Sequence, residues 1–458
     1  WSSALPTENR SFFYPSVSTS FVFSELLKIP TVSFGKLRAS IAQVGNDPNP
    51  YSLYSNFNYA GSFLGIGMVN FDNVLKTNKL KPEITTSTEL GLELKFLKGR
   101  LSFDGTVYKT TSKNQIFQAQ RASESGFTAF LLNAGELANK GVELSVSGKA
   151  VQTKNFSWTV LANWSANRNK VVSLSEGIDR LQLGGSINMT VNAEVGKAIG
   201  TLRGNDTYYA TTGEIIVNPN NGRTYYDQDV YLGSFMPKWL GSFGSTFTYK
   251  NFDFNFNFNM RWGGQMYSTS NHKANGSGNT IASLEGRDAQ VFSNLVLGES
   301  GEELRGRTII GNYPYPDANR AKGILVPGNY PLLDNNGNIV FDQYGRIMPG
   351  EKAAFWTTPQ NYWTFMDFRN SLNIFDASFI KLNQVIIGYK VPNKWIAKRT
   401  PFQSARISMV GRNLWILYSK TPRGIDPESS SSSGNDQGME KGGSLPYSSY
   451  GIDIKFSF

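Results

Sequence analysis

Between Phe252 and Trp262 the chain alternates without a break: Phe252, Phe254, Phe256, Phe258, Met260 and Trp262 interleave with Asp253, Asn255, Asn257, Asn259 and Arg261. Successive side chains of a strand point to opposite faces, so this segment has one large apolar face and one polar face. The segment from Tyr450 to Phe458 repeats the pattern, with Tyr450, Ile452, Ile454, Phe456 and Phe458 on one side. A face that aromatic is too apolar for the solvent side of an ordinary sheet. Opposite a polar face, it suits a sheet with lipid outside and water inside.

A chain of 458 residues allows two or three soluble domains or one large β-barrel portion. Aromatic residues at 13%, charged residues at only 17%, and abundant Gly favour strands and turns. No apolar run reaches the roughly 18 residues of a membrane-spanning helix. Barrel strands are not excluded by this, because their alternation averages out in a mean hydropathy of −0.32. Cysteine is absent, which removes disulfides and thiolate metal sites. The single histidine, His272, lies in the polar stretch Ser270 to Asn275 and is expected in a solvated loop, so no histidine metal cluster or catalytic triad is expected, nor any cofactor. The net charge of +10 raises nucleic acid as a partner, but the basic residues are spread along the chain without a stripe. Polar-face charge and contacts to anionic lipid headgroups, in an outer membrane its lipid and lipopolysaccharide, are the expected explanation.

Period-two alternation predicts about eleven strands, near 16–24, 34–44, 84–97, 100–117, 140–151, 156–170, 238–249, 252–264, 376–391, 404–418 and 446–458. The gaps between them alternate short and long. Lys98-Gly99, 152–155, Lys250-Asn251 and 393–403 are short, whereas 45–83, the stretch up to Asn139, the stretch up to Pro237, the stretch up to Phe375 and 419–445 are long. Outer-membrane barrels are wired this way, with tight periplasmic turns and long extracellular loops. With Lys250-Asn251 as a two-residue loop, Tyr249 faces Phe252, Phe247 faces Phe254, Phe243 faces Phe258 and Trp239 faces Trp262. With Lys98-Gly99 as the loop, Phe96 faces Leu101, Leu94 faces Phe103 and Leu90 faces Val107. Trp239 and Tyr249 then stand about 23 Å apart along the membrane normal, matching an apolar band edged by aromatic girdles. Glu89, Glu93, Lys95, Asp104, Asn255, Asn257 and Arg261 would line a wet lumen. A soluble sandwich would instead need two buried faces meeting and much shorter loops.

Several motifs narrow the family. Leu80-Lys81-Pro82-Glu83 with Thr85-Thr86-Ser87-Thr88-Glu89-Leu90-Gly91-Leu92 resembles a strand of TonB-dependent outer-membrane transporters. Asn139-Lys140-Gly141-Val142-Glu143-Leu144, Asp376-Ala377-Ser378-Phe379-Ile380-Lys381-Leu382, Gly411-Arg412-Asn413-Leu414 and Gly424-Ile425-Asp426-Pro427-Glu428 follow in an order similar to the C-terminal half of the SusC/RagA family. The resemblance implies that residues 1–458 are about eleven C-terminal strands of a 22-stranded plugged barrel. Plug and N-terminal strands are expected outside this chain, which starts at Trp1 without an initiator Met. It further implies a SusD-like surface lipoprotein as lid, a TonB complex as energy source, oligosaccharides or peptides as cargo, and a barrel dimer. The rival readings are a passive porin and a secreted carbohydrate-binding or adhesive β-protein.

Recognition is expected in the long loops, since lipid and the hydrogen-bond ladder fix the wall. The richest stretch is Phe355 to Phe365, where Trp356, Tyr362, Trp363 and Phe365 would stack on a sugar ring or peptide, pack the loop's own core, or meet the lid. Asp334 to Asn338 loosely resembles a calcium loop, but its twelfth position is Gly345 rather than Glu. Asn336-Gly337 reads better as a hairpin turn, as does Asn220-Asn221-Gly222. Glu89 and Glu93 share a face without a pocket to raise a pKa, so no catalysis is expected. Tyr450, Ile452, Ile454, Phe456 and Phe458 are expected to face lipid, and they resemble the terminal strand read by the outer-membrane assembly machinery.

Overall fold

The computed structural model describes residues 1–458 except 121–122, 176, 221–222, 285–286, 288–307, 311–323, 358, 367–368, 397–400, 433, 443–445 and 458. Eleven strands form the wall: β1 (Ser16–Phe21), β2 (Val32–Asn46), β3 (Glu83–Phe96), β4 (Leu101–Lys113), β5 (Glu136–Gln152), β6 (Phe156–Ser173), β7 (Trp239–Tyr249), β8 (Phe252–Trp262), β9 (Phe379–Val391), β10 (Ser404–Ser419) and β11 (Ser449–Ser457). They pair in chain order as one antiparallel meander. The fold is all-β with few helices.

The register follows the side-chain pattern. Trp239 pairs with Trp262, Phe243 with Phe258, Phe247 with Phe254 and Tyr249 with Phe252, as the two-residue loop requires. Trp239 and Trp262 stack at 6.0 Å with their rings 7° apart, and Tyr418 continues the row at 6.1 Å from Trp262. Between β3 and β4 the predicted pairs hold, Phe96 with Leu101 and Leu90 with Val107. The turn there is wider than expected, spanning Leu97 to Arg100, with Leu97 and Lys98 both at positive φ. Alternation alone also ran β4 too far, because Ile116–Gln120 is a separate loop strand that pairs with Ala129–Asn133.

Among the described residues, none forms a protein layer over the apolar face of this wall. Leu90, Phe254, Ile387, Ile407, Ile452 and Ile454 are 39–74% exposed. Buried apolar clusters lie in the loops instead. One joins Phe117, Leu181, Ala193 and Ile199 to the loop ends of β5 and β6 at Leu137 and Val171, and another joins Met189, Val191, Leu202, Phe235, Tyr267 and Met439. The loops therefore carry their own cores, built on small sheets. The largest comprises Arg180–Ser186, Met189–Glu194, Thr201–Thr207 and Tyr226–Ser234.

An arginine at Phe256, midway along β8 on the apolar face, is expected to cost about 2–4 kcal/mol, whereas one at Asn257 on the polar face leaves stability within about 1 kcal/mol. Denaturant titration of the receptor refolded into vesicles measures both, and equal costs would contradict lipid exposure of Phe256.

Candidate functional site

Two charge pairs on the polar face of the wall each span three strands. Arg38 on β2 crosses β3 to reach Asp104 on β4, Nη1 donating to Oδ2 at 2.8 Å and Nη2 to Oδ1 at 2.6 Å. Its path lies over Gly91, where a Cβ would stand 2.2 Å from Arg38 Nε. Arg406 on β10 likewise crosses Gly388 on β9 to Asp253 on β8, with Nε donating to Oδ1 at 3.0 Å. These groups are partly exposed, so each pair stabilises by about 1 kcal/mol or less. The glycines matter because any side chain there would push the guanidinium off its carboxylate.

At the loop end of β9 and β10 the wall opens into a cavity of about 790 Å³. Register shifts in this pair expose Asn383 and Asn413, the latter at φ +54°, a conformation Asn tolerates better than most residues. The loop after β10 folds back over this spot because Lys381 Nζ donates to Asp426 at 2.7 Å and Glu428 at 2.8 Å. Lys381 and Asp426 are 4% and 5% exposed, so removing one partner would strand a buried charge. Ser429, Ser430, Ser431 and Lys441 complete a lining of hydroxyls, amides and charges of both signs.

Beside the cavity, three loops are tied together. Gln265–Ser268 pairs with both Ile374–Asp376 and Met439–Glu440. Helix α1 (Thr269–Gly276) follows, capped by Ser268, whose Oγ accepts from Asn271 N at 3.1 Å. Glu440 accepts from Ser268 Oγ at 2.7 Å and from Ser270 Oγ at 2.6 Å. Burial pushes this carboxyl up, but the hydrogen bonds from Ser270, Ser268 and Gly442 outweigh it and hold the group below its ordinary value. His272 is not in a solvated loop: it is buried on α1, and Tyr267 Oη lies 2.7 Å from its Nδ1. Local polarity hid this, because the segment folds as a helix that packs against residues 359–366 and sets His272 beside Tyr267. Asn370 extends the node, donating to Ile187 O at 2.8 Å and accepting from Asn205 N at 2.9 Å.

The residues singled out from the sequence separate clearly. Glu93 pairs with Lys36 at 2.7 Å and Lys95 at 3.4 Å, while Glu89 is exposed on the same strand and accepts from Ser87 at 3.1 Å. Asn255 donates to Thr246 at 2.7 Å, and Asn257 is half-buried opposite Gly244. Arg261 is half-buried, with its guanidinium turned onto the carbonyls of Phe235 and Gly263. The aromatic stretch is not an irregular loop. Trp356 lies on the strand Pro349–Thr357, and Tyr362, Trp363 and Phe365 lie on helix α2 (Pro359–Met366). Trp363 is buried, with Tyr362 edge-on at 5.3 Å, so this pair packs the loop core. Tyr450, Ile452, Ile454 and Phe456 stand exposed on one face of β11, and Phe458 lies outside the described residues. Asp334 closes a hairpin turn, accepting from Asn336 N at 2.9 Å and Asn338 N at 2.8 Å, and Asp342 repeats the arrangement with Tyr344 N and Arg346 N. The turn at Asn221-Gly222 is outside the described residues, although its flanks pair at Val217 and Thr224. Lys381, Asp426 and Glu428 sit inside motifs that carried the family resemblance, but nothing in the sequence said that the two motifs touch.

A meander with a bare apolar face, a charged opposite face and folded loops at one end defines a section of transmembrane β-barrel wall. The chain belongs to the TonB-dependent receptor-like β-barrel family, whose model matches residues 1–286. That family places it in the outer membrane. It is 24% identical to TonB-dependent receptor P3 of Formosa agariphila, over 99% of this chain and 43% of that protein. With TonB-dependent receptor SusC of Bacteroides thetaiotaomicron it shares 27% identity, over 93% of this chain and 39% of the other. The chain thus spans about two-fifths of the length of these relatives. Its fold matches a structure of the RagAB peptide transporter with a TM-score of 0.63, at 17% identity, over 99% of this chain and 44% of that one.

Replacing Lys381 with Met should release the loop from Asp426 to Met439, costing about 3–5 kcal/mol locally. Hydrogen exchange in that loop reads the loss, and unchanged protection would contradict the anchoring role. Because the folded carboxyl of Glu440 is depressed, its contribution is full above the ordinary value of 4.5 and is lost as pH falls through the lower folded value. Exchange protection of the α1 amides should drop in that acid window, and Glu440→Gln should remove the pH dependence.

Proposed function

We propose that this chain is the C-terminal wall of a SusC-like importer that moves oligosaccharides or peptides across the outer membrane without changing them chemically. The observation that carries this reading is the polar cavity at Lys381, on the polar side of the wall beneath cross-braced loops. Its hydroxyl and amide lining suits the many donors and acceptors of a glycan or a peptide backbone. Direct cargo contact falls to Asn383, Asn413 and the serines of this cavity, more than to Trp363, which is buried. Tyr362 and Trp356 remain as candidate contacts for cargo or lid, and Glu89, Glu93, Asn255 and Asn257 as lumen lining.

A SusD-like lipoprotein would close over the loaded loops, and a TonB complex would act on a plug outside this chain. Import would thus be gated at both ends, which separates it from a passive porin. The lipid-facing β11 would serve as the assembly signal, and two barrels would pair side by side. RagAB is a peptide transporter by its own description, which keeps peptides level with glycans as cargo.

Uptake of labelled oligosaccharide and peptide pools by cells expressing the receptor should fall to background when TonB or the neighbouring lipoprotein is deleted. Persistent uptake without TonB would contradict active import. Asn383→Ala combined with Asn413→Ala should weaken uptake about tenfold while leaving surface expression unchanged.

A further inference from the structure

The apolar face of the wall is not uniform. At the turn end of β4, β5 and β6, small residues stand where large ones occur elsewhere. Gly148 and Ala162 lie in a groove of about 450 Å³ shared with Leu97, Leu101 and Val146. Arg100 closes the end of the groove. Its Nη2 donates to the carbonyls of Lys149 at 3.1 Å and Ala150 at 3.2 Å, where the ladder between β5 and β6 shifts register. Those two bonds fix the guanidinium at the edge of the lipid-facing surface. Leu97 adds a second signal. Its φ is +53°, a left-handed conformation that costs a branched residue about 1–2 kcal/mol and that Gly or Asn would adopt more easily. An apolar side chain is thus held at the turn, on the groove, at a backbone cost.

Charge on the short turns at this end is predominantly positive. Among the described residues, the short turns 22–31, 97–100, 153–155, 250–251 and 392–396 carry six Lys or Arg and a single acid, Glu25. Half of the net charge of +10 therefore sits at this turn end of the wall, the periplasmic rim in the proposed orientation. A cation close to an anionic bilayer surface gains about 1 kcal/mol, and the planar guanidinium fork matches phosphate oxygens.

We propose that this groove binds one anionic phospholipid of the periplasmic leaflet, with an acyl chain along Leu101, Gly148 and Ala162 and the phosphate against Arg100. The remaining basic turns form a diffuse collar around this one shaped site. The lipid would hold the turn between β3 and β4 at a fixed depth, independently of the cargo in the lumen.

Native mass spectrometry of the full receptor, released from nanodiscs of mixed phosphatidylglycerol and phosphatidylcholine, tests the proposal. Phosphatidylglycerol should be retained preferentially. Arg100→Gln should lower that retention about fivefold, and so should Gly148→Leu, which fills the groove and keeps the charge. Lys250→Gln, on a turn outside the groove, should leave it unchanged. Should Gly148→Leu fail to fold, Gly148→Ala takes its place, since a Cβ there meets Leu101 at an ordinary 3.4 Å. Equal retention of the two lipids, an Arg100→Gln receptor that behaves like the parent, or an equal loss with Lys250→Gln would overturn the site.

Discussion

Hydrocarbon offers no hydrogen bonds, so every backbone N–H and C=O at membrane depth must find its partner within the sheet. That constraint explains the ten consecutive antiparallel pairings of the wall and the strict chain-order meander. It also explains the division of labour between wall and loops. The wall needs no apolar core, since lipid takes that place, and its buried clusters lie in the loops. Strands fixed by lipid on one side and by a ladder along each edge have little freedom to vary. Specific chemistry therefore gathers where backbone can leave the ladder, at the register shifts around Asn383 and Asn413 and in the loops above them.

Charge does different work at three heights. On the polar face, Arg38 with Asp104 and Arg406 with Asp253 brace trios of strands over glycines, leaving that face polar without stranding a charge. At the loop end, Lys381 holds a whole loop against the wall through two carboxylates that water barely reaches on the Asp426 side. At the turn end, in the proposed orientation, the basic turns would face a leaflet of lipid phosphates. The same residue types thus brace, anchor and position according to how far water reaches each.

Period two made the wall legible in sequence. Each expected strand exists, and the registers around Lys250-Asn251 and Leu97 to Arg100 follow from matching apolar faces. Where alternation continued past the wall, as at Ile116 and Phe117, it could not tell a wall strand from a loop strand. The loops were much less legible. Polar neighbours made His272 look solvated, yet it is buried on a short helix beside Tyr267, and the aromatic stretch around Trp363 folds as a helix that sequence patterning did not reveal. The cavity was invisible because Lys381 and Asp426 meet only after the loop 420–448, between β10 and β11, closes back on the wall. Glycines within polar-face alternation, such as Gly91 and Gly388, were the one sequence trace of the cross-strand pairs.

The central claim is that lipid, not protein, covers the Phe-bearing side of β8. The chain contains no cysteine, so single cysteines carrying spin labels can be placed at each position from Phe252 to Trp262. In liposomes, collision with oxygen should peak at the even positions and collision with a water-soluble nickel complex at the odd ones, alternating residue by residue. Low accessibility to both reagents at Phe254, Phe256 and Phe258 would mean that protein packs against that face, and the account of the wall would be wrong.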